Sequence, residues 1–381
     1  MMYIKKIISF WCILALIMLS GCAEKEPIDT VDTTDSQSQT LLSAEPIFKC
    51  EALAMPDEFK NANHIYCCYS DSNGMLLSIC NEREKEVTVG PVNKTDFLVL
   101  CDENAKIVNS FPVSFPDSYV TTAVPYKDGV AYVGYNELVD ENADDTSKKL
   151  YTEWYVVYTY GEGEKILDSG NSESYYDIPH LFIADNELCY LWGYDDGFVV
   201  KQIKDDGAIL LFERTDCNLA SVDIHSNGNE YCFMASYPEA EYATFFICDI
   251  SGVKYEYTLH GKITSFSIMD EYAVCATGDG ETSKFSIEAV ELSNGDAKVY
   301  RVPDTPYCLT GNGGDLLYRN SLQYYYTSVA DEKTQSIREH LLEVNNGLYY
   351  PLGESQYFVL GLNPDNDGDS EYEFFRLTIS E

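Results

Sequence analysis

Residues 180–214 read HLFIADNELCYLWGYDDGFVVKQIKDDGAILLFER. Aromatic and aliphatic residues fill its runs, and Asp195-Asp196-Gly197 and Asp205-Asp206-Gly207 cut them at short intervals. Such residues suit a pleated, half-buried surface. Asp-Gly steps supply the positive-φ positions that tight hairpins need. The stretch therefore predicts antiparallel strands joined by short turns. TDFLVLCDENAKIVNSFPV (95–113) and ATFFICDISGVKYEYTL (243–259) repeat the pattern. Further turn signals stand at Lys127-Asp128-Gly129, Ser226-Asn227-Gly228, Ser293-Asn294-Gly295 and Asn345-Asn346-Gly347. No stretch beyond the N-terminus keeps a 3.6-residue apolar period. TQSIREHLLEV (334–344) suits a helix or a hairpin strand equally.

The strands have a higher-order period. Units start near Ala62, Ser118, Asp177, Leu219, Lys262, Thr305 and Pro351, and the last four intervals are 42, 43, 43 and 46 residues. That is the spacing of four-stranded propeller blades, about 40–50 residues. The first two intervals are longer, 56 and 59, and the acidic insertion DENADDTSKK (140–149) and SGNSESYYD (169–177), both in the second of them, suit blade loops. The last unit shows only two clear strands, YFVLGL and EYEFFRLTI, while PIFKCEAL (46–53) has no neighbour to pair with. Joining it to the last blade closes a ring and leaves no open sheet edge. The expected fold is all-β, a propeller of seven four-stranded blades, with six or eight blades or a pair of β-sandwiches as the alternatives.

Ahead of this body, Lys5 and Lys6 precede an apolar run of twelve residues, Ile7–Met18, too short for a membrane span and suited to an export signal. Leu19-Ser20-Gly21-Cys22 follows and resembles the lipobox of bacterial lipoproteins. The resemblance implies a lipid on the Cys22 thiol and cleavage just before it, which would give stable anchoring through two acyl chains. Residues 23–44 are rich in Asp, Glu, Thr, Ser and Gln and lack aromatics, as a disordered tether would. The expected organisation is a signal peptide over 1–21, a lipidated linker over 22–44 and a propeller over 45–381. Anchor and repeat spacing together resemble the quinoprotein-like and WD40-like propellers of bacterial lipoproteins, including the propeller lipoprotein of outer-membrane assembly. The chain departs from both motif families. It has no Trp-Asp repeat and only three Trp, at 11, 154 and 192, so neither a quinone cofactor nor an assembly role carries over.

Composition excludes some classes. With 63 acids against 25 bases the net charge is −38, which disfavours a nucleic-acid partner. Setting aside Cys12 and Cys22, eleven of the 13 Cys remain, nearly all inside apolar runs such as IYCCYS and FFIC. They read as reduced core thiols rather than a disulfide framework. Cys67 and Cys68 should face opposite sides of one strand. There is no G-x-S-x-G elbow, no P-loop and no Cys/His cluster, and His64, His180, His225, His260 and His340 are scattered singly. Asn363, Asp365, Asp367 and Asp369 alternate as in the start of a calcium loop, but Phe374 stands where the closing Glu belongs. Calcium at this segment is the one cofactor candidate. Tyr pairs and runs, among them Tyr155, Tyr158, Tyr160, Tyr324–Tyr326, Tyr349 and Tyr350, suit cross-strand packing or a sugar or protein surface.

The functional expectation is a monomeric, membrane-anchored extracytoplasmic binding or scaffold protein, non-catalytic, with a protein or glycan ligand. The alternative is a secreted propeller enzyme acting on glycans through an Asp/Glu acid–base pair. Replacing Cys22 by Ser should move the protein from the membrane to the soluble fraction of its host. Continued membrane retention of the variant would count against the lipid anchor.

Overall fold

The computed structural model describes residues 47–81, 94–114, 119–139, 150–161, 163–172, 177–194, 197–221, 223–259, 261–279, 284–302, 306–319, 324–329, 333–336, 347–353, 355–364 and 370–380. All fall in one unit, Glu45–Glu381. They form seven antiparallel sheets arranged as the blades of a propeller. Blades 1 to 6 span 64–112, 119–172, 180–214, 218–258, 262–302 and 307–336. Blade 7 combines 348–380 with the N-terminal strand Ile47–Leu53, which lies outermost. In this last pairing Ile47 faces Ser380 and Leu53 faces Phe374. The ring therefore closes between the two ends of the domain, as the unpaired segment 46–53 predicts.

Burial explains the sequence pattern. In blade 1 every residue of the second strand, Gly74–Cys80, is buried. Middle strands are covered on both faces by neighbouring blades, so they read as continuous apolar runs. Outer strands such as Gly252–Thr258 meet solvent and carry Lys and Glu between their packed residues. Among the described residues the large hydrophobic clusters lie at the junctions between blades. One joins Phe182, Leu191 and Phe198 of blade 3 to Tyr231, Phe233 and Phe246 of blade 4. Another joins Ile65, Met75 and Leu77 of blade 1 to Phe358 and Phe374 of blade 7. A blade is thus stable only between two others.

Tight hairpins fix the register. Asp185 and Asn186 both adopt positive φ, 51° and 60°, as a two-residue turn requires. Gly74 closes the first hairpin at φ 140°, where an added Cβ would lie 2.0 Å from the Cys101 carbonyl oxygen.

Several sequence expectations change. Residues 169–172 are not loop but the end of the outer strand Gly163–Ser172. It runs on because its partner Leu150–Tyr160 is itself 11 residues long, and Trp154 packs against Gly170. The extra length of blade 1 lies in 81–96, between its second and third strands. In the segment that suited helix or strand, Lys333–Ser336 is a strand, and 337–346 lie outside the described residues. Among the described residues the sole helical element is the 3₁₀ turn Asp57–Phe59. The ten described thiols are free, and eight of them are buried. Cys67 packs into the junction of blades 7 and 1 and Cys68 into that of blades 1 and 2, on opposite sides of the strand.

Leu377 is fully buried in the closing strand pair, opposite Cys50. Leu377→Ala should cost about 2–5 kcal/mol in chemical denaturation. Leu210→Ala, on an outer strand and 54% exposed, should cost within about 0.5 kcal/mol of nothing.

Candidate functional site

Seven inner strands converge on the ring axis. They enclose a cavity of about 420 Å³ that takes lining residues from every blade. Its volume falls in the range of small-ligand sites, about 300–1,000 Å³. Side-chain hydrogen bonds to backbone hold the strands in place. The Ser226 hydroxyl donates to the Ile183 carbonyl, joining blade 4 to blade 3. Asn227 donates to Met269 O at 2.9 Å, joining it to blade 5. Ser267 Oγ accepts from the Gly311 N–H at 3.1 Å, and the Thr310 hydroxyl donates to Tyr349 O at 3.1 Å. A wall tied this way is pre-organised for a ligand.

Blade 4 differs from the others. Its inner strand is split into Asn218–Leu219 and His225–Ser226, both paired to Tyr231–Ser236. The Ala220 N–H still donates to Met234 O at 2.8 Å, and Ser221, Asp223 and Ile224 lie outside the ladder between the two pieces. Asp223 sits in this break, where its N–H donates to Ser221 Oγ and its Oδ2 accepts from the Ser221 hydroxyl, both at 3.1 Å. The break thus delivers to the wall the one carboxylate found among its described lining residues. His225 follows, its ring edge-on to Phe266 of blade 5 at 4.8 Å between centroids. His180 opens the inner strand of blade 3, in phase with Phe182 and Ala184, which pack toward blade 4. Strand alternation therefore leans His180 toward Asp223. Tyr66 enters from blade 1 and keeps 46% of its surface exposed. It lines the cavity, so that exposed surface is enclosed by the ring.

Enclosure sets the ionisation. Burial pulls His180 down to about 4, although the negative Asp223 pulls the other way. Burial lowers His225 against the same opposition. Both imidazoles are therefore uncharged at neutral pH, free to accept a proton. Burial raises the Tyr66 phenol, and Cys68, Cys67 and Asp223 raise it further, so it remains a proton donor. The Cys68 thiol is pushed up to about 12 by burial, which removes it as a nucleophile. Among the described lining residues Asp223 is the sole acid. No group of three His, Cys, Asp or Glu side chains among the described residues could hold a metal ion.

These residues were not legible as a site. The sequence reading treats each His as an isolated surface or loop residue, yet His180 and His225 line one cavity. They come together because both lie near the start of consecutive repeat units. Polar residues at that phase of the repeat are the signal that could have found them. Of the calcium candidate, Asn363 lies in the strand Gln356–Pro364 opposite Glu371, and Asp365, Asp367 and Asp369 are outside the described residues. Cys22 is also outside them. Tyr318 and Tyr325 do form the expected cross-strand stack, with ring centroids 5.1 Å apart. Tyr349 and Tyr350 line the cavity.

No protein family and no curated protein matches this sequence. Solved structures do. An oligogalacturonate lyase in complex with manganese is similar at TM-score 0.50 and 9% identity, over 88% of this chain and 98% of that one. The β-propeller domain of the trilobed protease of Pyrococcus furiosus is similar at 0.43 and 11%, over 65% and 78%. The acylaminoacyl peptidase of Pyrococcus horikoshii is similar at 0.45 and 11%, over 67% of this chain and 46% of that one. Identities this low speak for the fold alone. The expectation of a non-catalytic protein is corrected to this extent: the fold is one that an enzyme, the oligogalacturonate lyase, also has, so the architecture gives no ground for excluding catalysis. No helix among the described residues is long and apolar enough to cross a membrane.

His180 makes stability pH-dependent. Its folded-state pKa lies below the unfolded value of 6.5, so the unfolded chain binds the extra proton. Stability should be highest above pH 6.5, fall as pH drops toward 4, and flatten below. The loss should be about 2–3 kcal/mol. Urea denaturation from pH 7 to pH 4 checks this, and His180→Gln should flatten that part of the profile.

Proposed function

We propose that the protein is an extracytoplasmic enzyme, attached to a membrane through lipid on Cys22, that performs acid–base chemistry on a glycan held in the axial cavity. One observation carries the reading: a carboxylate, two uncharged imidazoles and a phenol from three blades face a single enclosed volume. Titratable groups perturbed by burial and by one shared charge mark functional sites more often than structural ones. His180, uncharged at neutral pH, is the base. The protonated Tyr66 phenol is the donor, and Asp223 stabilises the imidazolium that forms when His180 takes a proton. The tyrosine faces of the wall suit sugar rings, which present an apolar side and a polar rim.

This revises the Asp/Glu pair expected from sequence. A two-carboxylate mechanism needs a second acid across the substrate. The described wall offers only Asp223, so the two proton-transfer roles fall to the His180 imidazole and the Tyr66 phenol. The propeller fold of the oligogalacturonate lyase is compatible with chemistry on a saccharide at such an axis, but the residues of this chain carry the argument.

Turnover of a panel of oligosaccharides by the intact protein, followed by chromatography, tests the reading. His180→Ala and Asp223→Asn should each lower kcat/KM by about 10²–10⁴-fold. His64→Ala should leave it unchanged, since His64 lies outside the cavity against Tyr372. Intact saccharides throughout, or variants as active as the parent, would overturn the proposal.

A further inference from the structure

The axial cavity has one charged group that the acid–base chemistry above does not use. Arg319 ends the second strand of blade 6, Asp315–Arg319, and lines the cavity beside Tyr350 and Pro351. Among the described lining residues it is the sole lysine or arginine. Its backbone pairs with Tyr307 and Tyr324, while its guanidinium makes no hydrogen bond or ion pair with a described residue and lies over no aromatic ring among them. That is unexpected here, because acids outnumber bases 63 to 25 across the chain. Two other described arginines are paired, Arg376 with Glu51 at 3.0 Å and with Asn104 at 3.2 Å, and Arg214 with Glu256, while Arg301 stands on an exposed outer strand outside the cavity. A guanidinium that lines a cavity and meets no carboxylate among the described residues is placed to bind an anion that enters that cavity.

Position supports this. Each inner strand runs away from one face of the ring, and each second strand runs back to it. Arg319, at the end of a second strand, therefore lies toward the same face as His180 and Leu348, the first residues of their inner strands. His180, near that face, is uncharged and acts as a neutral hydrogen-bonding group, not as a competing cation. A net charge of −38 repels anions at long range, so an anionic ligand needs a local cation to enter. The planar guanidinium fork matches the oxygens of a carboxylate or sulfate, which a lysine would bind only as a point charge.

We propose that Arg319 is the anion-binding residue of the cavity and that its ligand is an acidic saccharide, its charge a uronate carboxylate or a sulfate ester. The proposal rests on the glycan reading for the saccharide part and is independent of the catalytic roles given to His180 and Asp223.

Calorimetric titration of the intact protein with three oligosaccharides of equal length, one uronate, one sulfated and one neutral, tests it. The parent should bind at least one acidic probe 10-fold or more tighter than the neutral one, with affinity falling as salt rises. Arg319→Gln should erase that preference, Arg319→Lys should retain part of it, and Arg301→Gln, on an exposed outer strand, should leave it unchanged. A parent that binds neutral and acidic probes alike, or an Arg319→Gln variant that keeps the preference, would overturn the assignment. The preferred acidic probe identifies the source of the charge. Arg319-dependent binding without turnover would uphold this assignment and defeat the catalytic reading. Turnover of neutral saccharides untouched by Arg319→Gln would do the reverse.

Discussion

Seven backbone pairings between Ile47–Leu53 and the last strand hold the ring shut. Every blade depends on them, because the cores of this protein lie between blades. Without the N-terminal strand, blade 7 would offer an open edge and expose Phe48, Leu377 and Ile379 of its junction with blade 6. The strain of an open ring would then pass to the axial wall, whose strands are tied to one another by Ser226, Asn227, Ser267 and Thr310. The cavity and its pKa values are properties of the closed ring and belong to no single blade.

The fold was legible because propeller blades are repeats of one physical problem. Each needs two apolar middle strands, a mixed outer strand and turns at fixed spacing, so period and pattern appear together in the chain. Unit starts read near Asp177, Leu219 and Lys262 fall within three residues of the inner strands at His180, Asn218 and Lys262. Even the lone segment 46–53 could be assigned, since an unpaired strand and an incomplete blade are complementary. Loop assignments were weaker. Residues 169–172 look like loop by composition, but a long partner strand and Trp154 draw them into the sheet.

The site was not legible for the opposite reason. Its residues are scattered exceptions to the repeat, drawn from three blades, with Tyr66 in the first, His180 in the third and Asp223 and His225 in the fourth. His180 and His225 look alike to a reader searching for local motifs, and so does His64, which packs against Tyr372 outside the cavity. The break in the inner strand of blade 4 has no turn signature of its own, since Ser221 and Asp223 form their bonds only to each other. Burial then does what composition cannot reveal: it turns ordinary imidazoles into uncharged ones.

The direction of the closing strand has a consequence for orientation. Ile47 pairs with Ser380, so the chain enters the ring at the face of the tight hairpins. His180 and Arg319 lie toward the other face, where the long connections 81–96 and 140–149 also arise. The chain's entry at Ile47 and the end of the cavity near Arg319 are thus on opposite faces of the ring, so a ligand that reaches Arg319 does so from the side away from the closing strand.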